Sequence, residues 1–259
     1  MLSKGDTTCL FKSLPSVKFF SMLPELRDIV FLDIETVGCT DQYHTLDERL
    51  KTQWARKAAF LKREENSTDE ELFYLRSGIY AEFGKIVCIG VGMLYETESG
   101  ELGLKTKAYC GHDERAMLLG FKEMLEKIDS SSVRLCAHNG KEFDFPFLSR
   151  RMLVQNIPLP IALNLSGRKP WETPHLDTME MWKFGDYKNF TSLDLLAAIF
   201  NVPSSKSDMD GSQVNHVYYK EKNLDKIKNY CVSDVVVLTQ LYLRLKGLPM
   251  METRNIITA

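Results

Sequence analysis

No run of apolar residues in this sequence approaches membrane-spanning length; the longest are strand-sized. The six cysteines form no CxxC pair and no cluster with the five histidines, which argues against a zinc site or a disulfide framework. Cys88, Cys136 and Cys231 sit in apolar runs, where a thiol packs as a small hydrophobe, so a reducing, cytoplasmic compartment is expected. P-loop, HExxH and GxSxG patterns are missing. Gly90-Val91-Gly92 lies inside a strand pattern, without the third glycine or following helix of a dinucleotide fingerprint. Basic charge is not in excess either: the formal net charge is -2 and the pI about 6.2. A nucleic-acid partner would therefore have to be held by a local patch. Residues 1–28 contain no continuous apolar segment with a cleavage pattern, so no signal peptide is expected.

What remains is a chain of 259 residues, 44% hydrophobic and 26% charged, long enough to bury one continuous core. Residues 1–21 show no clear period and read as a weakly ordered extension, with Met22 a candidate natural start and 22–259 the folded domain. Ile29 to Glu35 is a short β-branched and aromatic run, the pattern of a buried central strand ended by Gly38. Residues 45–80 turn polar and helical, two helices broken near Asn66 to Asp69, with Ser67 or Thr68 capping the second. Strands are expected over 85–95, 104–110 and 133–137, and helices over 116–128, 144–155, 177–184 and 192–200. A long helix follows over 224–245. That order suggests an α/β sheet flanked by helices.

Asp33 and Glu35 are two apart on the first strand, so their side chains leave the same face at its carboxyl end. Two carboxylates that close repel unless a cation or a proton intervenes. Taken alone, Asp-x-Glu is a common pattern, and the pair reads as a strand-end cap beside a solvated glutamate. Asp234 interrupts a helical stripe of Leu224, Ile227, Cys231, Val235, Leu238, Tyr242 and Leu245, where an acid must find a partner. Tyr230 lies one turn earlier and by itself reads as a half-buried aromatic. Asp144, just before Phe145-Pro146, fits a helix N-cap as well as a ligand. Together, four carboxylates from three segments could hold two divalent ions at one locus, the arrangement that serves phosphodiester hydrolysis.

At these residues the sequence resembles the DEDD superfamily of 3′–5′ exonucleases, whose fold is ribonuclease-H-like. Asp33-Ile34-Glu35 matches the first motif, Asn139 to Asp144 the second, and Tyr230 to Asp234 the third, in the tyrosine rather than the histidine form. The surrounding text is similar to stand-alone bacterial proteins related to the proofreading domain of family-B DNA polymerases. The resemblance implies a mixed sheet flanked by helices; the helical segment at 45–80, an insertion after the first strand, is not part of the minimal superfamily pattern.

It further implies Mg²⁺ or Mn²⁺, two ions, on Asp33, Glu35, Asp144 and Asp234, with Tyr230 orienting the attacking water. Thr36, Asn139 and Phe143 would contact the terminal nucleotide. The expected activity is release of nucleoside monophosphates from single-stranded DNA or frayed 3′ ends. The rival readings are an RNA 3′–5′ exonuclease with the same site and a non-catalytic nucleic-acid-binding module. Arg150, Arg151, Arg168, Lys169, Lys183, Lys188, Lys220, Lys222, Lys226 and Lys228 are candidate backbone contacts, each equally an ordinary solvated cation.

Overall fold

A computed structural model describes residues 24–62, 67–128, 133–186, 190–203 and 209–259. The expected extension at 1–21, and Lys188 among the basic candidates, lie outside the described residues. Six strands form one mixed sheet in the order β5-β4-β1-β2-β3-β6. They span Ile29–Gly38 (β1), Gly84–Glu96 (β2), Leu102–Cys110 (β3), Arg134–Ala137 (β4), Leu176–Asp177 (β5) and Ile256–Thr258 (β6). The pairings of β2 with β1 and β3 are antiparallel; those of β4 with β1 and β5, and of β6 with β3, are parallel. With helices on both faces this is the ribonuclease-H-like α/β architecture.

The central position of β1 follows from its composition. Val30, Leu32 and Ile34 face one core with Leu118, Phe121, Phe145 and Leu148, carried by α3 (Glu114–Lys127) and α4 (Asp144–Val154). Ile29 and Phe31 face the other core with Val235, Leu238 and Tyr242 of α8 (Leu224–Leu245). Alternate residues of one strand thus serve two layers. The stripe expected on α8 is buried at Ile227, Cys231, Val235, Leu238 and Tyr242, and burial extends to Val237, Leu241 and Leu243. Val237 is covered by Ala197 and Val202, on and just beyond α6 (Leu193–Ile199), so α8 is enclosed on more than one side.

The insertion forms as expected, with α1 spanning Glu48–Ala58 and α2 Asp69–Arg76. Thr68 caps α2 in a reciprocal capping box with Glu71. The insertion has its own core around Trp54, with Leu46, Ala58, Leu72, Phe73 and Phe83. Trp54 meets Phe73 and Phe83 edge-on at 5.1 Å, and its indole N–H donates to the Asp69 carbonyl at 2.8 Å.

Some features depart from expectation. The segment expected as helix from residue 177 begins with β5, and α5 starts at Thr178 and ends at Lys183. β5 and β6 have two and three residues, too few to show a period. A short helix not expected from the sequence, α7 (Val214–His216), continues as a wider helical turn through Glu221. Cys88 and Cys110, expected to be isolated thiols, are bonded to each other: the β2–β3 register sets them directly opposite, Cα atoms 4.1 Å apart. Their spacing of 22 residues carries no sign of this. Cys39, Cys136 and Cys231 are free. Among the described residues no helix is long and apolar enough to cross a membrane.

Candidate active site

Asp33 and Glu35 continue the face of β1 that carries Ile29 and Phe31, so both point toward α8. The strand is irregular at this point: Glu35 pairs with Cys88 but Thr36 with Ile86, a bulge that re-aims the strand end. Glu35 is buried. Asp33 is partly exposed, yet its Oδ2 is buried without a hydrogen-bond partner.

α8 brings Tyr230 and Asp234 against that face. Two glycines of β2 let it come so close. A Cβ at Gly90 would lie 2.9 Å from the Cys231 Sγ and 3.1 Å from its carbonyl oxygen; one at Gly92 would lie 2.8 Å from Val235. Glycine inside a strand here marks helix-on-sheet contact. Asp234 is buried, and the Tyr230 hydroxyl one turn earlier hydrogen-bonds it. Cys231 donates from its thiol to the Asp33 carbonyl at 3.4 Å. Ligand atoms of Asp33, Glu35 and Cys231 all lie within 4.8 Å of one another.

Asp144 is the first residue of α4, but it does not cap that helix. The cap position is Phe143, which makes no side-chain cap bond, while Asp144 Oδ1 accepts from the Ile34 N–H at 3.2 Å, between the two acids of β1. The preceding turn is shaped by Asn139, whose backbone is left-handed at φ 63°. The buried carboxylate of Asp177 accepts from the N–H groups of Asn139 (2.9 Å) and Lys141 (3.1 Å), and it also caps α5.

The electrostatics follow from this crowding. Burial, then the charges of Glu35, Asp234 and Asp144, raise the Asp33 carboxyl well above its ordinary range. Glu35 is raised by burial and by Asp234 and Asp144. Burial pushes Asp144 up to about 7, with Asp177 adding to it and the Ile34 N–H opposing it. Tyr230 is held far above its usual value by burial and the charge of Asp234, so its hydroxyl stays protonated.

A cleft of about 710 Å³ opens over the cluster. Asp33, Glu35, Thr36, Phe143, Tyr230 and Asp234 line it; Asp144 lies just behind, and Asn139 is not among the lining residues. None of the basic candidates among the described residues lines it either. Arg151 is a correction: it is buried, its guanidinium paired with Glu114 at 2.7 Å and bonded to the Ala81 carbonyl. Lys220 pairs with Asp41 and Lys226 with Glu221. The cleft contains residues that sequence reasoning missed: Tyr74, Leu75, Arg76 and Ile79 of the insertion, and Gly211, Ser212 and Asn215. The Asn215 amide bonds the two sides, accepting from the Gly38 N–H and donating to the Tyr74 carbonyl. His138 and His175 are packing residues: His138 sits between Thr178 Oγ1 and the Thr191 carbonyl, and His175 between the Leu135 N–H and the Ala162 carbonyl.

Residues 79–254 match a family model described as predicted 3′–5′ exonuclease related to the exonuclease domain of PolB. Asp144, Tyr230 and Asp234 fall inside the match; Asp33 and Glu35 precede it. Among solved structures, the chain is similar to the family B DNA polymerase from the hyperthermophilic archaeon Pyrobaculum calidifontis. The TM-score is 0.52 at 16% identity, over 84% of this chain and 24% of that one. The chain thus spans about a quarter of that polymerase, and the likeness is one of fold. No curated protein matches the chain.

Proposed function

The chain belongs to the family of predicted 3′–5′ exonucleases related to the exonuclease domain of PolB, and from that premise we propose a metal-dependent hydrolase of single-stranded DNA 3′ ends. One observation carries the reading: carboxylates from three distant segments converge beneath one cleft, with a buried oxygen of Asp33 left without a partner. The four carboxylates offer oxygen ligands, which suit a hard divalent cation, Mg²⁺ or Mn²⁺. Asp33, Glu35, Asp144 and Asp234 would hold two such ions. When bound, the ions align and polarise the attacking water and the leaving oxygen. In the reaction, water oxygen bonds to the terminal phosphorus and the P–O3′ bond breaks. A nucleoside 5′-monophosphate leaves, and a water proton ends on the freed 3′-hydroxyl.

The protein groups have separate tasks. Tyr230, protonated and tied to Asp234, orients the water and does not act as a tyrosinate base. Phe143, in the cleft and packed on Phe147 at 5.4 Å, offers a ring for the terminal base, a contact indifferent to base identity. Thr36 contacts the same nucleotide from β1. Asn139 acts through the turn that delivers Phe143 and Asp144. Residues 22–259 are proposed to work as one exonuclease domain, in the cytoplasm.

The test is hydrolysis of matched single-stranded DNA and RNA oligomers with Mg²⁺ or Mn²⁺. Asp33→Asn and Asp234→Asn should abolish turnover with the fold intact. Near-normal turnover by either variant would overturn the metal assignment. Equal or faster cleavage of the RNA would replace DNA as the substrate.

A further inference from the structure

The insertion at 45–80 forms a wall of the cleft, and almost all of it lies outside the residues that match the family model. Its contribution is unusual for a surface helix end. Leu75 is 72% exposed and Ile79 48%, four positions apart where α2 tightens into a 3₁₀ turn, and both line the cleft. Between them stands Arg76, also exposed and the only lysine or arginine among the lining residues. A single exposed leucine needs no explanation. Two apolar side chains flanking a cation, in one cleft with Phe143 and three acids, form a surface matched to a strand with apolar base faces and anionic phosphates.

The wall is also firmly placed. The Trp54 core fixes α2 from behind. Asn215 ties the Tyr74 carbonyl to the Gly38 N–H, and the Cys39 N–H donates to the Phe83 carbonyl at 2.8 Å, closing the insertion onto the end of β1. Arg76 therefore stays in the cleft that holds the anionic cluster, where its positive charge favours an approaching phosphate.

Resting on the exonuclease reading above, we propose that this wall is the binding site for the nucleotide preceding the 3′ end. Leu75 and Ile79 pack against its base, and Arg76 pairs with its phosphate. The insertion thereby sets how the enzyme holds a single strand, apart from the chemistry.

The experiment compares Leu75→Ala/Ile79→Ala, Arg76→Gln and Arg76→Lys with the parent chain. KM and kcat are measured on a single-stranded DNA oligomer. Inhibition by the matching nucleoside 5′-monophosphate, which fills only the terminal position, is measured beside them. These side chains are exposed, so folding is preserved and can be checked by melting temperature. The double variant and Arg76→Gln should each raise KM about tenfold, from lost apolar burial and a lost phosphate contact. kcat and the monophosphate inhibition constant should hold, and Arg76→Lys should recover part of the loss. Unchanged KM overturns the wall. A matching loss in KM, kcat and monophosphate binding also overturns it, because the insertion would then only support the fold of the site. A parent chain that cleaves no oligomer with either metal overturns the exonuclease reading itself.

Discussion

Asp144→Asn is expected to make the metal-free protein more stable while removing its activity. The carboxyl is 4% exposed and its pKa is raised from 3.8 to about 7. A shift of that size is about 4 kcal/mol against the charged form, felt in full above pH 7. Asparagine keeps the oxygen that accepts from Ile34 N–H and carries no charge, but it still buries an amide. The recovered stability is thus a part of the whole, on the order of 2 kcal/mol, or about 4–8 °C in melting temperature for a chain of this size. The sign with pH is fixed by linkage. Between pH 4 and 7 the folded wild type binds more protons at Asp144 than the unfolded chain does. Wild-type stability from this group therefore falls as pH rises through that window and is flat above it. Melting curves in EDTA should show the variant above wild type at pH 8, with the gap closing toward pH 5. Adding Mn²⁺ should raise wild type strongly and the variant weakly. A variant that melts lower than wild type at pH 8 in EDTA, or a gap indifferent to pH, refutes the reasoning.

Tyr230→Phe should lower kcat by about 10- to 100-fold, the worth of one hydrogen bond to a charged group, and less than Asp33→Asn. Because the Tyr230 hydroxyl stays protonated, the shape of the pH–rate profile below pH 9 should be the same in both proteins; a limb lost in the variant would restore a tyrosinate base. Gly90→Ala should cost about 1–3 kcal/mol, read by denaturant melts, since its Cβ would meet the Cys231 carbonyl and α8 must lift. Activity should fall as well, because Asp234 and Tyr230 ride on that helix. Full stability together with full activity in Gly90→Ala would show that the contact is slack.

How much was legible depended on how far each feature reached through space. β1 and α8 announce themselves, one by an unbroken β-branched run, the other by a stripe from Ile227 to Tyr242 that the structure buries. Asp33, Glu35 and Asp234 stood out because each broke such a pattern, whereas Asp144 fitted a helix cap equally well. Other features exist only in three dimensions. Gly90 and Gly92 read as strand glycines until α8 is seen resting on them. Arg150 and Arg151 are adjacent, yet one is solvated and the other locked against Glu114, since successive helical positions point about 100° apart. Leu75, Arg76 and Ile79 reach the cleft only because Trp54 and Asn215 dock the insertion there, a tertiary outcome with no local signature.

Burial of an aspartate does not by itself distinguish a site from a scaffold, and Asp177 provides the comparison. It is as buried as Asp144, but its carboxylate accepts N–H groups from Asn139, Lys141, Met179 and Glu180. Its charge is met by the backbone, and it holds the β4 turn against α5. Asp33 has the opposite surroundings. Its neighbours are other acids, and its buried Oδ2 has no donor. A fold that satisfies one buried acid four times over and leaves an oxygen of another without a donor is not short of donors. The difference lies in what each must bind. Asp177 has its partners within the chain, whereas on the reading proposed above the Asp33 cluster takes its partners, cations, from solution. Local rules fail at the candidate site and hold around it, because the surrounding packing must absorb the strain of keeping like charges together.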